Sequence, residues 1–521
     1  MPPISVPVLS PAQSAAWDAR AEAAGISGAT LMECAGRAAA AVTLDRFSDA
    51  ARLGVLVAAG PGNNGGDGWV LARALHRLGL PIWVAAIEGK GSALRDQAAA
   101  LARAEGVRAV APDGPWPAVG LLVDALLGTG ASGPPRGPVA ALLERLTDLA
   151  LPIVALDGPT GLDLASGVSH GAPRAACSIT SGGLRRGHLL ARDESGDVIV
   201  VDIGHPPADL VLPALVTDDH AAEWLPRLQA NDHKGARGRV VIVGGAPGMS
   251  GAARLAGRAA FGAGAGLVHL VAPTESAKIL AEAEPDLQTV AWDEGPLPER
   301  LAELLAHASA VVIGPGLGRG QGSRKRIELV LAASGRVPVV LDADALIAFQ
   351  GAVTELRSLL VHRPAVLTPH PGEFRSLFPE LSAEAEHDPW AAAARAAEVS
   401  GAVVLLKGVP TVIGIPGDGA RWTVAAGNPG LATGGSGDLL SGLIAAALAR
   451  EVDPGTAAAL GAQILGRAAD IGARRVTARG LRPMDVLAGL PDLWRAWEIH
   501  RTARPAPRAP VLFELERPRV V

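Results

Sequence analysis

Apolar runs of five to nine residues alternate with helix-like stretches along this chain, in two successive series. The first series follows a helical stretch over 10–50, where Ser10 and Pro11 supply an N-cap and a first helical position. "LGVLVAAG" (53–60), "PIWVAAIEG" (81–89), "GLLVDALLG" (120–128), "PIVALDGP" (152–159) and "DVIVVDIG" (197–204) read as strands. Helices are predicted at 68–79, 92–105 and 138–149. The strands are apolar throughout instead of alternating, which predicts a parallel sheet covered on both faces. Few regular signals occur over 205–230, and a linker is expected at 211–230. The second series begins at "RVVIVGG" (239–245). It continues through "LVHLVAP" (267–273), "ASAVVIGPG" (308–316), "VPVVLDADAL" (337–346), "PAVLTPHPGEF" (364–374), "AVVLLKG" (402–408) and "TVIGIPG" (411–417). Long helices follow at 437–450 and 456–472, and the Pro/Arg-rich stretch 496–521 is expected to be loosely ordered. The expected fold is therefore α/β in two domains, 1–210 and 231–495. The first is a Rossmann-like three-layer α/β/α domain.

Composition narrows the chemistry. Of 521 residues 49% are hydrophobic, enough for two large cores, and the net charge of −5 offers no basic surface for nucleic acid or membrane. Two cysteines, Cys34 and Cys177, lie far apart with no metal-ligand spacing. The N-terminal stretch lacks the pattern of a signal peptide, so a cytoplasmic setting is expected. Tyr is absent, and Lys occurs only at 90, 234, 278, 325 and 407, so each Lys is a candidate for a specific role.

Three glycine-rich loops leave the carboxyl ends of strands in the first half, where open α/β sheets build their sites. "GPGNNGGDGW" (60–69) matches G-x-G-x-x-G at Gly60, Gly62 and Gly65, and Glu88 ends the next strand about where a ribose-binding acid would sit. Asn63, Asn64 and Asp67, however, crowd the helix start with oxygens. "VDALLGTGASGPPRGP" (123–138) repeats the glycine pattern, but Pro134 and Pro135 forbid an immediate helix. "LDGPTGLDLASG" (156–167) places Asp157 at a strand end. Asn64, Asp124 and Thr160 could converge as hard oxygen ligands for a cation. Equally, Asp124 and Asp157 could cap the turns that follow them.

Taken in order, "LMECAG" (31–36), "GPGNNGGDG", "VDALLGTGASGP" and "LDGPTGLD" resemble the NAD(P)H-hydrate epimerase domain over about 30–205. The resemblance implies that Asn63, Asn64, Gly65, Gly66 and Asp67 hold the hydrate's nucleotide. Gly128, Thr129, Gly130, Ala131, Ser132, Gly133 and Pro134 would share that task. It implies that Asp157 contacts the reacting part as a catalytic residue, and that potassium is held by Asn64, Asp124 and Thr160. Thr160 stands where the family has Ser, which preserves the hydroxyl. Arg185, in "LRRGH" (184–188), stands where the family has a Lys. An Arg keeps a fixed charge but cannot change its protonation state.

In the second half, "NPGLATGGSGDLLSG" (428–442) sets Asp438 behind a glycine run that opens a helix, a natural anion site. No G-x-x-x-x-G-K-[ST] occurs anywhere, so this is not a P-loop. Asp438 either caps the helix or takes a proton from a hydroxyl while adjacent N–H groups hold a transferring phosphoryl group. With "IGPGLG" (313–318), "LDADAL" (341–346), "LTPHPGEF" (367–374) and "LLKGVPTVI" (405–413), the order resembles the ribokinase-like superfamily. Over about 231–490 it resembles the ADP-dependent NAD(P)H-hydrate dehydratases. The resemblance implies a ribokinase-like second domain in which Ala252, Gly316, His370 and Asp438 line the hydrate pocket. Lys407, Gly408, Val409, Pro410, Thr411 and Gly437 would hold the adenine nucleotide, with magnesium and ADP as phosphoryl donor, and Asp438 would be the base. The fused chain resembles the bifunctional NAD(P)H-hydrate repair enzymes. These epimerise NADHX and NADPHX and dehydrate the S form, converting ADP to AMP and phosphate. A homo-oligomer is expected. The alternative reading is a ribokinase-like kinase of a small vitamin-precursor alcohol with a non-catalytic N-terminal binding module.

Overall fold

The computed structural model of the chain describes residues 3–89, 91–207, 212–320, 322–503 and 509–518. It divides into two compact units. The first comprises Ile4–Leu212 and Ala506–Arg517, and the second is built on Pro213–Pro505.

In the first unit a short parallel pair, β1 (Val8–Leu9) and β8 (Leu184–Arg185), stands apart from the main sheet. The main sheet contains β2 (Val55–Ala59), β3 (Ile82–Ala86), β4 (Arg108–Val110), β5 (Leu121–Ala125), β6 (Ile153–Leu156), β7 (Cys177–Ser181) and β9 (Asp197–Val201). Its spatial order is β4-β3-β2-β5-β6-β7-β9, all parallel. Successive residues of one strand feed opposite cores. Val55 and Val57 join Leu31, Trp69, Leu71 and Ala99 on one face, while Leu56 and Ala58 join Leu142, Leu143 and Leu146 on the other. That is why these strands carry no polar alternation, and it gives the three layers expected.

The chain order reverses between β2 and β5, so the loops after these two strands diverge and leave a crevice. Glycine is required where they close up again below it. A Cβ on Gly60 would lie 1.9 Å from the Leu126 carbonyl oxygen, and one on Gly65 would lie 2.1 Å from that of Gly60.

The second unit is a ten-stranded sheet. Its strands are β10 (Ala214–Leu215), β11 (Arg239–Val243), β12 (Leu267–Ala272), β13 (Gln288–Ala291), β14 (Ala310–Ile313), β15 (Val339–Leu341), β16 (Ala365–Leu367), β17 (Val403–Leu406), β18 (Thr411–Ile415) and β19 (Gly419–Val424). The order is β10-β19-β18-β17-β16-β15-β14-β11-β12-β13, antiparallel only at β17-β18-β19. Its reversal lies between β11 and β14. Helix Ser436–Leu448 packs on helix Ser250–Gly262 with backbones nearly touching, since a Cβ on Gly442 would lie 2.0 Å from the Ala256 carbonyl oxygen.

Two expectations about order differ from the structure. The stretch 211–230 is not a bare linker. Ala214–Leu215 pairs with β19 and Asp218–Trp224 forms a helix, both within the second unit. The stretch 496–521 is not uniformly loose either. Helix Pro483–Thr502 runs past 495, and β20 (Val511–Leu515) adds an antiparallel edge to β9 of the first unit. The remainder of that expectation, at 504–508 and 519–521, falls outside the described residues.

Candidate functional site

The crevice of the first unit opens into a cavity of about 670 Å³. Asn63, Asn64 and Asp67 line it from helix Asn63–Arg77, Gly128–Ala131 from the loop after β5, Asp157 from the loop after β6 and Arg185 from β8. The helix starts at Gly62 with no side-chain cap, so its first N–H groups remain available to an anion. Ser132, Gly133 and Pro134 do not line the cavity, and Gly65 and Gly66 lie buried beneath it.

Asn64, Asp124 and Thr160 do come together, around the Leu126–Leu127 segment. The Asn64 amide donates to the carbonyls of Leu127 (2.9 Å) and Leu156 (3.2 Å). Thr160 donates to Asp124 through its backbone N–H (2.7 Å) and its hydroxyl (2.8 Å), and accepts from the Leu127 N–H (3.0 Å). Asp124 is fully buried, and burial pushes its pKa up. Among the described residues only hydrogen bonds from Thr160 and Leu126 oppose that rise, with no cationic side chain contributing.

Asp157 sits in the left-handed region at φ 64°, a strained position for a non-glycine residue. One carboxylate oxygen accepts from the Thr129 N–H (2.5 Å) and from the Thr129 hydroxyl. The other accepts from the Thr180 hydroxyl (3.3 Å) and lies 3.4 Å from the Arg185 guanidinium. Burial alone would raise its pKa, but Arg185, Thr129 and His188 outweigh burial and hold the carboxyl below its usual range. Arg185 is itself fixed, donating to Thr129 Oγ1 (3.0 Å) and to the carbonyls of Gly183 (2.7 Å) and Ser181 (3.3 Å).

His188 is a positioning residue that the sequence reading passed over. Its Nδ1 accepts from the Arg185 N–H (3.0 Å), so its Nε2 carries the proton donated to the Asp157 carbonyl (2.6 Å). Burial pushes its pKa down to about 4, which keeps it neutral in this role. Its only signal in the sequence was its place in "LRRGH".

In the second unit Asp438 is the third residue of helix Ser436–Leu448. The N-cap is Gly435 at φ 98°, and the helix start has no side-chain cap, so Asp438 is not spent on capping. Burial, aided by Asp342, pushes its pKa up to about 7, against the pull of Lys407. Asp342 is the residue here that the sequence reading left without a role. It is buried at the end of β15, accepts from Lys407 Nζ (2.7 Å) and the Ser441 hydroxyl (2.5 Å), and precedes Ala343 at φ 50°. Gly437 lies against the same lysine, where a Cβ would come within 3.2 Å of Nζ.

Lys407–Thr411 forms the tight connection between β17 and β18, closed by Thr411 Oγ1 on the Gly408 carbonyl (3.2 Å). Gly316 and Ala252 are neighbours across the β11–β14 reversal, where a Cβ on Gly316 would lie 3.2 Å from that of Ala252. His370 is exposed and caps helix Pro371–Leu377, accepting from the Gly372 N–H (2.9 Å). Its partner in that cap, Glu373, belongs to the group of carboxylates that raise the Asp438 pKa.

The family model described as NAD(P)H-hydrate dehydratase matches residues 240–491, and that described as YjeF-related protein N-terminus matches 28–187. The bifunctional NAD(P)H-hydrate repair enzyme Nnr of Escherichia coli (strain K12) is 37% identical over 491 residues, covering 90% of each chain. The chain belongs to the family of bifunctional NAD(P)H-hydrate repair enzymes. The repair enzyme of Moorella thermoacetica is 36% identical, covering 85% of this chain and 88% of its own. An ADP/ATP-dependent NAD(P)H-hydrate dehydratase from Bacillus subtilis, crystallised with ATP and Mg2+, is similar at 30% identity and TM-score 0.48, covering 54% of this chain and 97% of its own. Within this repair-enzyme family the two matched segments fall one in each unit, on the two sites just described. Among the described residues no helix is long and apolar enough to cross a membrane.

Proposed function

We propose that the chain restores hydrated NADH and NADPH, epimerising the R and S hydrates in the first unit and dehydrating the S hydrate in the second with ADP. The observation that carries this reading is family membership across both units, each of which holds a carboxylate in the site described above. In the first unit the uncapped helix start and the Gly128–Ala131 loop would hold the nucleotide phosphates, and Asp157, kept ionised, would face the hydrated ring. Potassium fits the set Asn64, Asp124 and Thr160. All three offer hard oxygens, and Asp124 is a buried carboxylate with no cation beside it. Such an ion would supply that missing charge and fix the loop after β5.

In the second unit Asp438 would take the proton from the ring hydroxyl as its oxygen attacks the terminal phosphorus of ADP. The free N–H groups of the Gly435–Gly437 turn and Lys407 would hold the phosphoryl oxygens. Loss of a ring proton and expulsion of phosphate, assisted by the ring nitrogen's electron pair, then leave the reduced cofactor, AMP and phosphate. Magnesium, when bound with the nucleotide, neutralises phosphate charge. The deciding experiment gives purified chain an equilibrium mixture of hydrate epimers and ADP and follows the absorbance of the reduced cofactor. Recovery of both epimers supports the reading, and recovery of the S form alone removes the epimerase half. Replacing potassium by a large organic cation should slow epimerisation and leave dehydration unchanged.

A further inference from the structure

The cavity of the first unit holds a second carboxyl whose surroundings are the reverse of those around Asp157. Asp67 lies one turn into helix Asn63–Arg77 and lines the same cavity. Asp157 is met by two donors from Thr129, by Thr180 and by Arg185. Among the described residues Asp67 has no hydrogen bond or cation that stabilises its charge, and the charged groups bearing on it are Asp157 and Asp18, both carboxylates. Of the other charged groups lining the cavity, Arg185 is committed to Thr129, Gly183 and Asp157, His205 Nε2 is committed to Asp18 (2.8 Å), and Glu22 adds a further negative charge. Burial and the two carboxylates raise the Asp67 pKa well above its usual range, whereas Asp157, met by its donors, is held below its own. Two carboxyls in one site driven apart in this way are the usual arrangement of an acid and a base.

The reaction needs both. In the hydrate, the carbon to be inverted carries a hydroxyl and is bonded to the ring nitrogen. Inversion without oxidation requires one of those bonds to break and reform on the other face. We propose that Asp67 is a catalytic general acid, giving its proton to the ring nitrogen as Asp157 takes the proton of the hydroxyl. In that step the O–H bond breaks, a carbon–oxygen double bond forms, and the carbon–nitrogen bond breaks with its electron pair going to nitrogen. The opened ring carries an aldehyde and an N–H. Rotation about the adjacent carbon–carbon bond turns the other face of the aldehyde to the nitrogen. The nitrogen then attacks the carbonyl carbon and returns its proton to Asp67, while Asp157 returns its proton to the oxygen. No atom, charge or electron is gained or lost over the cycle.

This proposal rests on the epimerase reading, and the experiment separates the two. Epimerisation of R hydrate is measured on the full chain, with dehydration of S hydrate as an internal control. Asp67→Asn keeps the shape and a hydrogen-bond donor but has no proton to give. Its kcat for epimerisation should fall by about 100-fold or more, with KM within about threefold of wild type and dehydration unchanged. Its thermal midpoint should hold or rise, since a carboxyl without partners has been neutralised. A kcat near wild type, or a loss confined to KM, overturns the proposal while leaving the epimerase reading intact. Should the Asn variant fail to fold, Asp67→Ala with added formate decides: recovery of kcat by formate and not by chloride supports the acid role, and absence of recovery overturns it. A wild-type chain that leaves the epimers unchanged overturns both.

Discussion

Replacing Asp438 by Asn leaves a side chain of the same shape at the third position of its helix and takes away the base. Dehydration by D438N should fall by roughly 10²–10⁴, the usual range for a positioned base, in a steady-state assay with ADP. In the wild type the same rate should rise with pH through about 7, where Asp438 ionises. Stability moves the other way. A carboxyl whose pKa is higher folded than unfolded binds its proton more tightly in the folded state, so it favours folding at low pH and opposes it as pH climbs through 4 to 7. D438N should therefore melt above the wild type at pH 8 and near it at pH 4. Arg185 is the other residue with a sharp test. Its guanidinium reaches Thr129, Gly183, Ser181 and Asp157 at once, a set that one ammonium cannot copy. R185K should give no gain in epimerisation and should cost about 1 kcal/mol in a denaturant titration; a large gain would show that Arg impairs the site. The placement of Asn64, Asp124 and Asp157 beside glycine-rich turns was legible, because such turns after apolar strands mark the carboxyl edge of a parallel sheet. Asp342 and His188 were not, because their meaning lies in partners. Asp342 acts on Lys407 and Ser441, 65 and 99 residues away, and no local pattern records a contact of that span.

At the level of elements, most buried parallel strands were read correctly because their unbroken apolar runs have no other stable setting; β7, whose CSITS sequence is half polar, was not read. The two strands found in stretches read as linker or loose are both edge elements. β20 is five residues within a Pro/Arg-rich stretch, partly buried at Val511–Phe513, exposed at Glu514 and buried at Leu515, so its sequence carries little of the signal that core strands show. β10 is two residues long. Such strands are defined by the edge that receives them. β20 is held by its ladder to β9, by Arg46 on Glu514, by the Arg517 N–H on Asp197 (2.7 Å) and by the Arg517 guanidinium on the Ala175 carbonyl (3.1 Å). Deleting 509–521 should destabilise the first unit by on the order of 2–4 kcal/mol, from a few backbone hydrogen bonds at about 1 kcal/mol each. Hydrogen exchange should locate the effect, with amides of Val198–Val201 losing protection ahead of those in β2 and β5. Uniform loss would mean that β20 is not a separable edge.

For the whole molecule, the unit boundaries decide how it can be divided. A fragment spanning 213–505 retains every strand of the second sheet, including β10, and should fold and dehydrate S hydrate alone. A fragment ending at 212 lacks β20, so it should melt below the same fragment supplied with a peptide of 509–517; calorimetry with and without the peptide tests this. The first unit is thus assembled from two distant stretches, with about three hundred residues between β9 and the strand that completes its sheet. On a ribosome moving at roughly 5–20 residues per second, β9 waits some 15–60 seconds after emergence with one row of backbone groups unpaired. A nascent first unit is therefore a sheet with an open margin, free to recruit a strand from a neighbouring polysome, until the codons for 511–515 deliver its own.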